Sequence, residues 1–406
     1  MSRRVACIAA AAAVAVVWGL LHVGWYTQNQ IVDYPVYQTY GGNIVHRHEV
    51  PYRDFQLEYP PAALPVFALP SLLDRWNYDD VFDGEMALCL LVLVLAVGAI
   101  ASWQAAGLAA VAPLALGSVV ISRFDLWPAA LAILAVWALL RHRLLVSGLL
   151  IGTAFAAKLW PAALVPVLGV WLVRELGVRA AARWVAVAVA TAAAWFFPFV
   201  ALSPGGVAHS FHAQLARPLQ LESTGSAFLL AAHHWFGTNL QLAYGFGSQN
   251  VSGSGVHEVE IATSVLGLLA LAAVWVLFAA GPPTVERLLA HLGAAVAALL
   301  AFGKVFSPQF MMWLIPFAVI VPGLRGVVAK ALLVAGLILT QTWFPSHYWD
   351  LANAFAPTQS GELLARDLCV VALFVVLAWP GGLEHEVLGE HRSRLEALQR
   401  VRAQVD

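Results

Sequence analysis

The sequence predicts an all-α polytopic membrane protein, and three observations carry that prediction. Apolar residues fill 61% of the 406 positions and charged residues only 11%. Mean hydropathy is +0.77, whereas a soluble domain is about one-quarter charged. The apolar residues also form unbroken runs, at 5–21, 87–101, 184–202, 261–280 and 370–379, in place of one-sided stripes. Runs near 20 residues match the hydrocarbon core of a bilayer, and a backbone without water must close its hydrogen bonds within the segment, so these runs read as helices. Long Ala, Leu and Val blocks with weak period-two alternation argue against an outer-membrane barrel.

The N-terminal Met-Ser-Arg-Arg ahead of a long apolar run reads as an uncleaved first helix, because no small-residue cleavage site leads into a soluble domain. The loops that follow differ in charge. Residues 26–83 hold eight acidic and three basic side chains. Basic connectors occur at Arg141-His142-Arg143, at 174–183 and at 325–330, and a basic tail carries Arg392, Arg394, Arg400 and Arg402. The positive-inside rule assigns these to the cytoplasm with Arg3 and Arg4. Counting 61–73 as a crossing would force Arg141 and Arg143 outside. That segment has 13 residues and contains Pro65 and Pro70, so it reads as a helix lying on or dipping into the outer interface. About twelve spans remain, each near the length a bilayer requires, with both termini inside. Two sizeable outer loops result, 26–84 and 203–259, the second with a short apolar piece at 227–235 that re-enters the membrane on this reading. The domain organisation is one transmembrane domain, 1–382, and a charged cytoplasmic tail, 383–406.

Several function classes drop out. A net charge of −1 without basic patches leaves no nucleic-acid surface. The chain lacks a Walker A pattern, which argues against ATP-driven transport. Cys7, Cys89 and Cys369 all fall inside apolar runs and read as small lipid-phase side chains, with no disulfide framework or metal cluster. No cofactor and no metal is expected.

Polar side chains mark the functional region, because ionisable groups beside a lipid-facing span are costly. Asp33 lies in VDYPVY, Asp54 and Glu58 in PYRDFQLEYPP beside Arg53, and Arg123 in SRFDLWP beside Asp125. Lys158 lies in AAKLWPA, Arg217 and Glu222 in ARPLQLES, Lys304 and Gln309 in GKVFSPQF, and His347 in FPSHYW. The topology brings all of these to the outer face. Carboxylates suit proton abstraction from a hydroxyl, and Arg and Lys suit an anionic phosphate. The mixture describes a site handling a phosphorylated lipid and an alcohol. Each member has a plainer reading as well: Lys158 and Lys304 as snorkelling cations, Arg217 as a partner of Glu222, Arg53 as a partner of Asp54, and His347 with Tyr348 and Trp349 as an interfacial anchor.

At these residues the chain resembles glycosyltransferase family 87. The pieces that carry the resemblance are VDYPVYQTYGG, VPYRDFQLEYPP, AAKLWPAALVP, RPLQLES and KVFSPQFMMWLIP, running from residue 32 to 316. The resemblance implies a GT-C fold, a polyprenyl-phosphate-mannose donor, and a catalytic carboxylate in the first outer loop at the position of Asp33. Related endoplasmic-reticulum enzymes carry an acidic pair spaced by one residue there; here the partner position is Ile31, which suggests a single-base reaction. The expected role is transfer of one sugar, most simply mannose, to a lipid-linked or glycan acceptor at the outer face of the plasma membrane, inverting to an α-linkage. Asp33 is the expected base, with Asp54 and Glu58 as runners-up. Lys158, Arg217, Lys304, Arg123, Glu222, Gln309 and His347 are the expected contacts to donor phosphate or sugar. The alternatives are a lipid or small-molecule transporter or flippase, the same chemistry with a pentose such as arabinose, or a silent scaffold. The absence of an internal repeat and the gathering of charge at one face favour an interfacial enzyme over a transporter.

Overall fold

The computed structural model describes residues 3–379, which are mostly helical. In chain order, α1 (Arg3–Leu21) leads through an outer segment holding α2 (Tyr34–Val45) and α3 (Leu64–Leu72) to α4 (Tyr78–Ile100). Next come α5 (Trp103–Leu116), α6 (Val119–Ser122), α7 (Leu126–Leu140), α8 (Leu144–Ala157), α9 (Val165–Leu176) and α10 (Val178–Leu202). A second outer segment contains α11 (Pro204–Leu215), α12 (Thr224–Phe236) and the strands β1 (Leu240–Gly245) and β2 (Ser248–Gly253). The chain then runs through α13 (Val256–Ala280), α14 (Val285–Phe302), α15 (Met311–Val319), α16 (Gly323–Trp343), α17 (Tyr348–Ala354) and α18 (Pro357–Ala378).

Local chemistry sets the ends of these helices. Ser102, Ser223 and Thr284 each accept a backbone N–H from the first turn of α5, α12 and α14, the usual N-cap arrangement. Gly117 and Gly177 close α5 and α9 at φ 79° and 85°, a conformation costly for any residue with a Cβ.

Six helices are long and apolar enough to cross a bilayer unaided: α1 (from Arg4), α4, α10, α13, α14 and α16. The twelve-span expectation is therefore met outright by half that number among the described residues. The reason lies in the others. α5, α7 and α8 have 14, 15 and 14 residues, about 21–22 Å at 1.5 Å per residue, less than the ~30 Å hydrocarbon core. α18 is long enough at 22 residues but carries Glu362, Arg366 and Asp367. α3, with its preceding turn Pro61–Ala63, is likewise shorter than that core and packs on α2 and α4. α2 lies tight against it because residue 41 is glycine: a Cβ there would sit 2.1 Å from the Phe67 carbonyl oxygen.

The most deeply packed helices are α7, α14 and α15. Most residues of α7 and all of α15 are buried, while α10 shows few buried side chains along 25 residues. Lipid tails are as apolar as Leu, so close approach of small residues holds such helices together. Ala129, Ala132 and Ala135 on α7 and the alanines of α14 pack at 0–1% exposure. Gly148 and Gly152 let α8 rest on α10, where a Cβ on Gly152 would lie 2.4 Å from the Ala188 carbonyl oxygen.

The two ends differ in charge. At one, Arg174 donates to the carbonyls of Ala279 and Gly281, and Arg287 to that of Leu277 at 2.7 Å. Arg325 donates to the Trp379 carbonyl there as well, at 2.8 Å. The other end carries both outer segments. The sequence reading gave the second segment no strand, yet β1 and β2 pair antiparallel with Gly245 opposite Ser248. Phe246 and Gly247 form the two-residue turn at φ 54° and 65°, the left-handed pair that tight hairpins require. The apolar piece at 227–235 lies within α12, packed on α13 and α18. The expected tail helix, 383–406, lies outside the described residues.

Candidate active site

A cleft of about 540 Å³ opens between the two outer segments at the acidic end. Seven of the ten expected residues line it: Asp33, Glu58, Arg123, Lys158, Arg217, Glu222 and Gln309. They come from separate stretches of chain, which fold inward because each is tied to a neighbour.

Asp33 caps the start of α2 without a side-chain cap bond of its own. Its carboxylate meets the Arg123 guanidinium through Oδ1, and the Tyr37 hydroxyl lies 3.5 Å from Oδ2. Arg123 also donates to the Ile31 carbonyl at 3.3 Å, so it fastens the approach to α2 against the α6–α7 junction. Tyr37 is fully packed below, stacked on Phe67 at 4.5 Å and edge-on to Phe124 at 5.7 Å. The Asp33 side chain stays one-third exposed while that of Arg123 is 7% exposed. The base candidate thus faces the cleft and its cation stands behind it.

Lys158 follows α8 at a break in the helix, ahead of the turn at Trp160. Its ammonium donates to Asp125 Oδ1 at 2.6 Å and lies 4.8–5.1 Å from the ring centres of Phe124, Phe310 and Trp313. Trp313 Nε1 donates to the same Asp125 oxygen at 2.6 Å. A largely enclosed ammonium, its side chain 16% exposed, with a carboxylate and three aromatic faces is a caged cation, and the snorkelling alternative does not hold for it. Asp125, 1% exposed, stands beside Arg123 in the sequence, but its role as shared acceptor of Lys158 and Trp313 appears only in the fold. The signal was present as a charged residue next to the start of an apolar helix.

Arg217 pairs with Glu58 at 3.7 Å and donates to the Phe246 carbonyl at 3.1 Å. It therefore joins the two outer segments across the cleft, and its ion-pair partner is Glu58 where the sequence suggested Glu222. Glu222 is 4% exposed. Its Oε1 lies 3.1 Å from the Tyr348 hydroxyl, and Arg366 on α18 donates to its backbone carbonyl at 2.7 Å. Burial pushes the Glu222 carboxyl up from 4.5 to about 7, against the opposing pull of its hydrogen bonds and of Arg366 and Arg217. The sign follows by linkage. Between pH 4.5 and 7 the unfolded chain sheds this proton while the folded one keeps it, so the group's contribution to stability falls across that window and is level above it. Glu222→Gln removes the effect. The melting temperature of the variant relative to wild type is expected to rise from pH 4.5 to 7 and then stay flat, as read by thermal unfolding in detergent; a pH-independent difference would contradict the buried-acid description.

Three expected members stand outside the cleft lining. Asp54 sits in the surface turn 50–55, bonded by Arg53 at 2.8 Å and by the Val50 amide at 2.7 Å. The Arg53 bond, with that amide, holds its carboxyl low, at about 2. Lys304 donates to the Leu215 carbonyl at 2.9 Å and pairs with Glu260 at 3.2 Å, pinning the end of α11 to α13. His347 pairs with Asp350 at 3.0 Å on an exposed edge. Asp54→Ala is accordingly expected to change turnover by no more than about twofold, since exposed ion pairs contribute little; a large loss in the transfer assay described below would return Asp54 to the site.

The sequence reading also missed the frame behind Glu222. Gln220, 4% exposed, donates to Ser307 Oγ at 2.7 Å and accepts the Phe306 N–H at 3.0 Å. Arg366 is fully buried with Asp367 on α18, its guanidinium 3.8 Å from the ring centre of Phe306. Gln220 lies within RPLQLES, and Arg366 and Asp367 just ahead of an apolar run, with nothing local to name their partners.

Two carboxylates on the cleft wall, each matched to an arginine, together with a caged ammonium, are suited to deprotonating a hydroxyl beside an anionic leaving group. The model of glycosyltransferase family 87 matches residues 57–303, more than half of the chain. The chain belongs to glycosyltransferase family 87. No curated protein shows detectable similarity to it. As a member of family 87 it is a multi-pass membrane glycosyltransferase with a sugar donor and an acceptor. The match includes Glu58, Arg123, Lys158, Arg217 and Glu222. It begins after Asp33, whose assignment rests on the cleft.

Proposed function

We propose that this family 87 enzyme transfers one mannosyl unit from a polyprenyl-phosphate donor to a hydroxyl of a lipid-linked or glycan acceptor at the extracytoplasmic face of the plasma membrane. The fold is read as GT-C with about twelve spans, the short central helices included. The observation that carries the reading is Asp33, partly exposed on the wall of a cleft whose deep side holds Arg123 and Lys158.

Asp33 accepts the acceptor's hydroxyl proton as that oxygen attacks the anomeric carbon. The bond from that carbon to the phosphate oxygen breaks from the opposite face, and its electron pair leaves with the polyprenyl phosphate, so a β-linked donor gives an α-linked product. Phosphate needs charge stabilisation in leaving more than it needs a proton, and Arg123, Lys158 and Arg217 supply positive charge at the cleft. Gln309 offers an amide to sugar or phosphate oxygens. Glu58 is the second base candidate, held by Arg217. Purified enzyme with polyprenyl-phosphate-mannose is expected to release polyprenyl phosphate only when a hydroxyl acceptor is glycosylated. Preference for a polyprenyl-phosphate pentose in direct competition would replace mannose in this account.

A further inference from the structure

One wall of the cleft is not used by the chemistry above. On it, Tyr244 stands opposite Gln249 across the hairpin. The Gln249 side-chain oxygen lies 3.1 Å from the Tyr348 hydroxyl, which lies 3.1 Å from Glu222 Oε1. Trp349 follows, its ring centre 5.2 Å from that of Tyr348. Tyr244, Gln249, Glu222, Tyr348 and Trp349 all line the cleft, so this is one continuous surface.

Two features of that surface call for a ligand. Glu222 Oε2 is buried and has no hydrogen-bond partner, although a buried carboxylate oxygen without one is costly. Tyr244 and Trp349 are 77% and 51% exposed, yet they border a recess full of charge in place of a packed apolar interior. The hairpin carrying Tyr244 is held firmly: Leu221 N donates to Gln249 O and Val251 N to Leu219 O, both at 3.0 Å. A pyranose ring meets both needs, with C–H groups on its faces for aromatic rings and hydroxyls at its rim for a carboxylate. A phosphate has no C–H face to offer the aromatic rings.

We infer that Glu222, Trp349 and Tyr244 form a carbohydrate subsite that holds a sugar ring of the acceptor, one ring hydroxyl donating to Glu222 Oε2 and the ring faces covered by the aromatic pair. The aromatic pair is the more exposed part of the lining, while Arg123 is buried and the Lys158 side chain is only 16% exposed. The proposal deepens the transferase reading and rests on it for the word acceptor; the binding of a sugar ring does not depend on turnover.

Saturation-transfer NMR on the full chain in nanodiscs, with methyl α-mannoside and methyl β-glucoside as probes, tests it. Wild type and Asp33→Asn are both expected to bind a glycoside. Glu222→Gln and Trp349→Ala are each expected to weaken binding by roughly tenfold, the effect of about 1.4 kcal/mol, and Trp349→Phe should restore most of it by returning a ring. Folding of each variant is checked by its melting temperature. Wild-type protein that binds neither glycoside, or folded Glu222→Gln and Trp349→Ala that bind as wild type, would overturn the subsite; the latter result would leave the two aromatics as an interfacial belt. Glycoside binding without any sugar transfer would overturn the transferase reading and leave the subsite standing.

Discussion

Asp33→Asn is expected to lower sugar transfer by roughly 10²- to 10⁴-fold, the usual contribution of a positioned base. Asparagine keeps the shape and an oxygen for Arg123 but does not accept the acceptor's proton. Asp33 is one-third exposed and its arginine is almost fully buried, so the substitution removes little packing, and donor binding should survive in an equilibrium assay. Glu58→Gln separates the two carboxylates: a small loss there with a large one at Asp33 assigns the base. The reverse pattern would move the base to Glu58, and an Asp33→Asn enzyme of wild-type rate would end the Asp33 assignment.

The largest expected effect on stability is at Asp125. Its Oδ1 accepts from both Lys158 and Trp313 at 2.6 Å. Asp125→Ala leaves an ammonium and an indole N–H buried without acceptor, and removal of one partner of a buried ion pair costs about 3–5 kcal/mol. Lys158→Met leaves the opposite charge stranded, with a similar cost. Replacing both by apolar residues of like volume, Lys158→Met with Asp125→Leu, is expected to recover most of the loss, and thermal unfolding of the four proteins gives the coupling directly. Transfer should remain lost in the stable double variant if Lys158 supplies charge at the leaving phosphate. A stable double variant with full turnover would reduce the pair to a structural tie.

How much of this was legible in the sequence depended on the range of the interaction. Hydropathy runs are local, and they gave the long apolar helices and the short one around Pro61–Leu72. Charge asymmetry is nearly local, and it gave one end as basic and one as polar. It also gathered Asp33, Arg123, Lys158 and Glu222 on one side, where the cleft brings them together. Partner identity is not local. Nothing near Arg217 in the chain pointed to Glu58, and nothing near Arg366 pointed to the backbone of Glu222. Both pairings are fixed by helix packing between segments more than a hundred residues apart. Lys304 and His347 belonged to plausible local patterns, yet Glu260 and Asp350 hold them away from the lining. The hairpin was hidden because its strands are short and β2 is largely polar, with Gly245 and Gly247 the local marks of the turn.

The central claim is that the cleft breaks a donor's sugar–phosphate bond. It is tested most directly by reconstituting the purified chain in vesicles with radiolabelled polyprenyl-phosphate-mannose and a hydroxyl acceptor, and following both products. The expected result is free polyprenyl phosphate and α-mannosylated acceptor in equal amounts, lost with Asp33→Asn. Intact donor crossing between leaflets with no bond broken, at a rate unaffected by Asp33→Asn, would contradict it and make the protein a flippase.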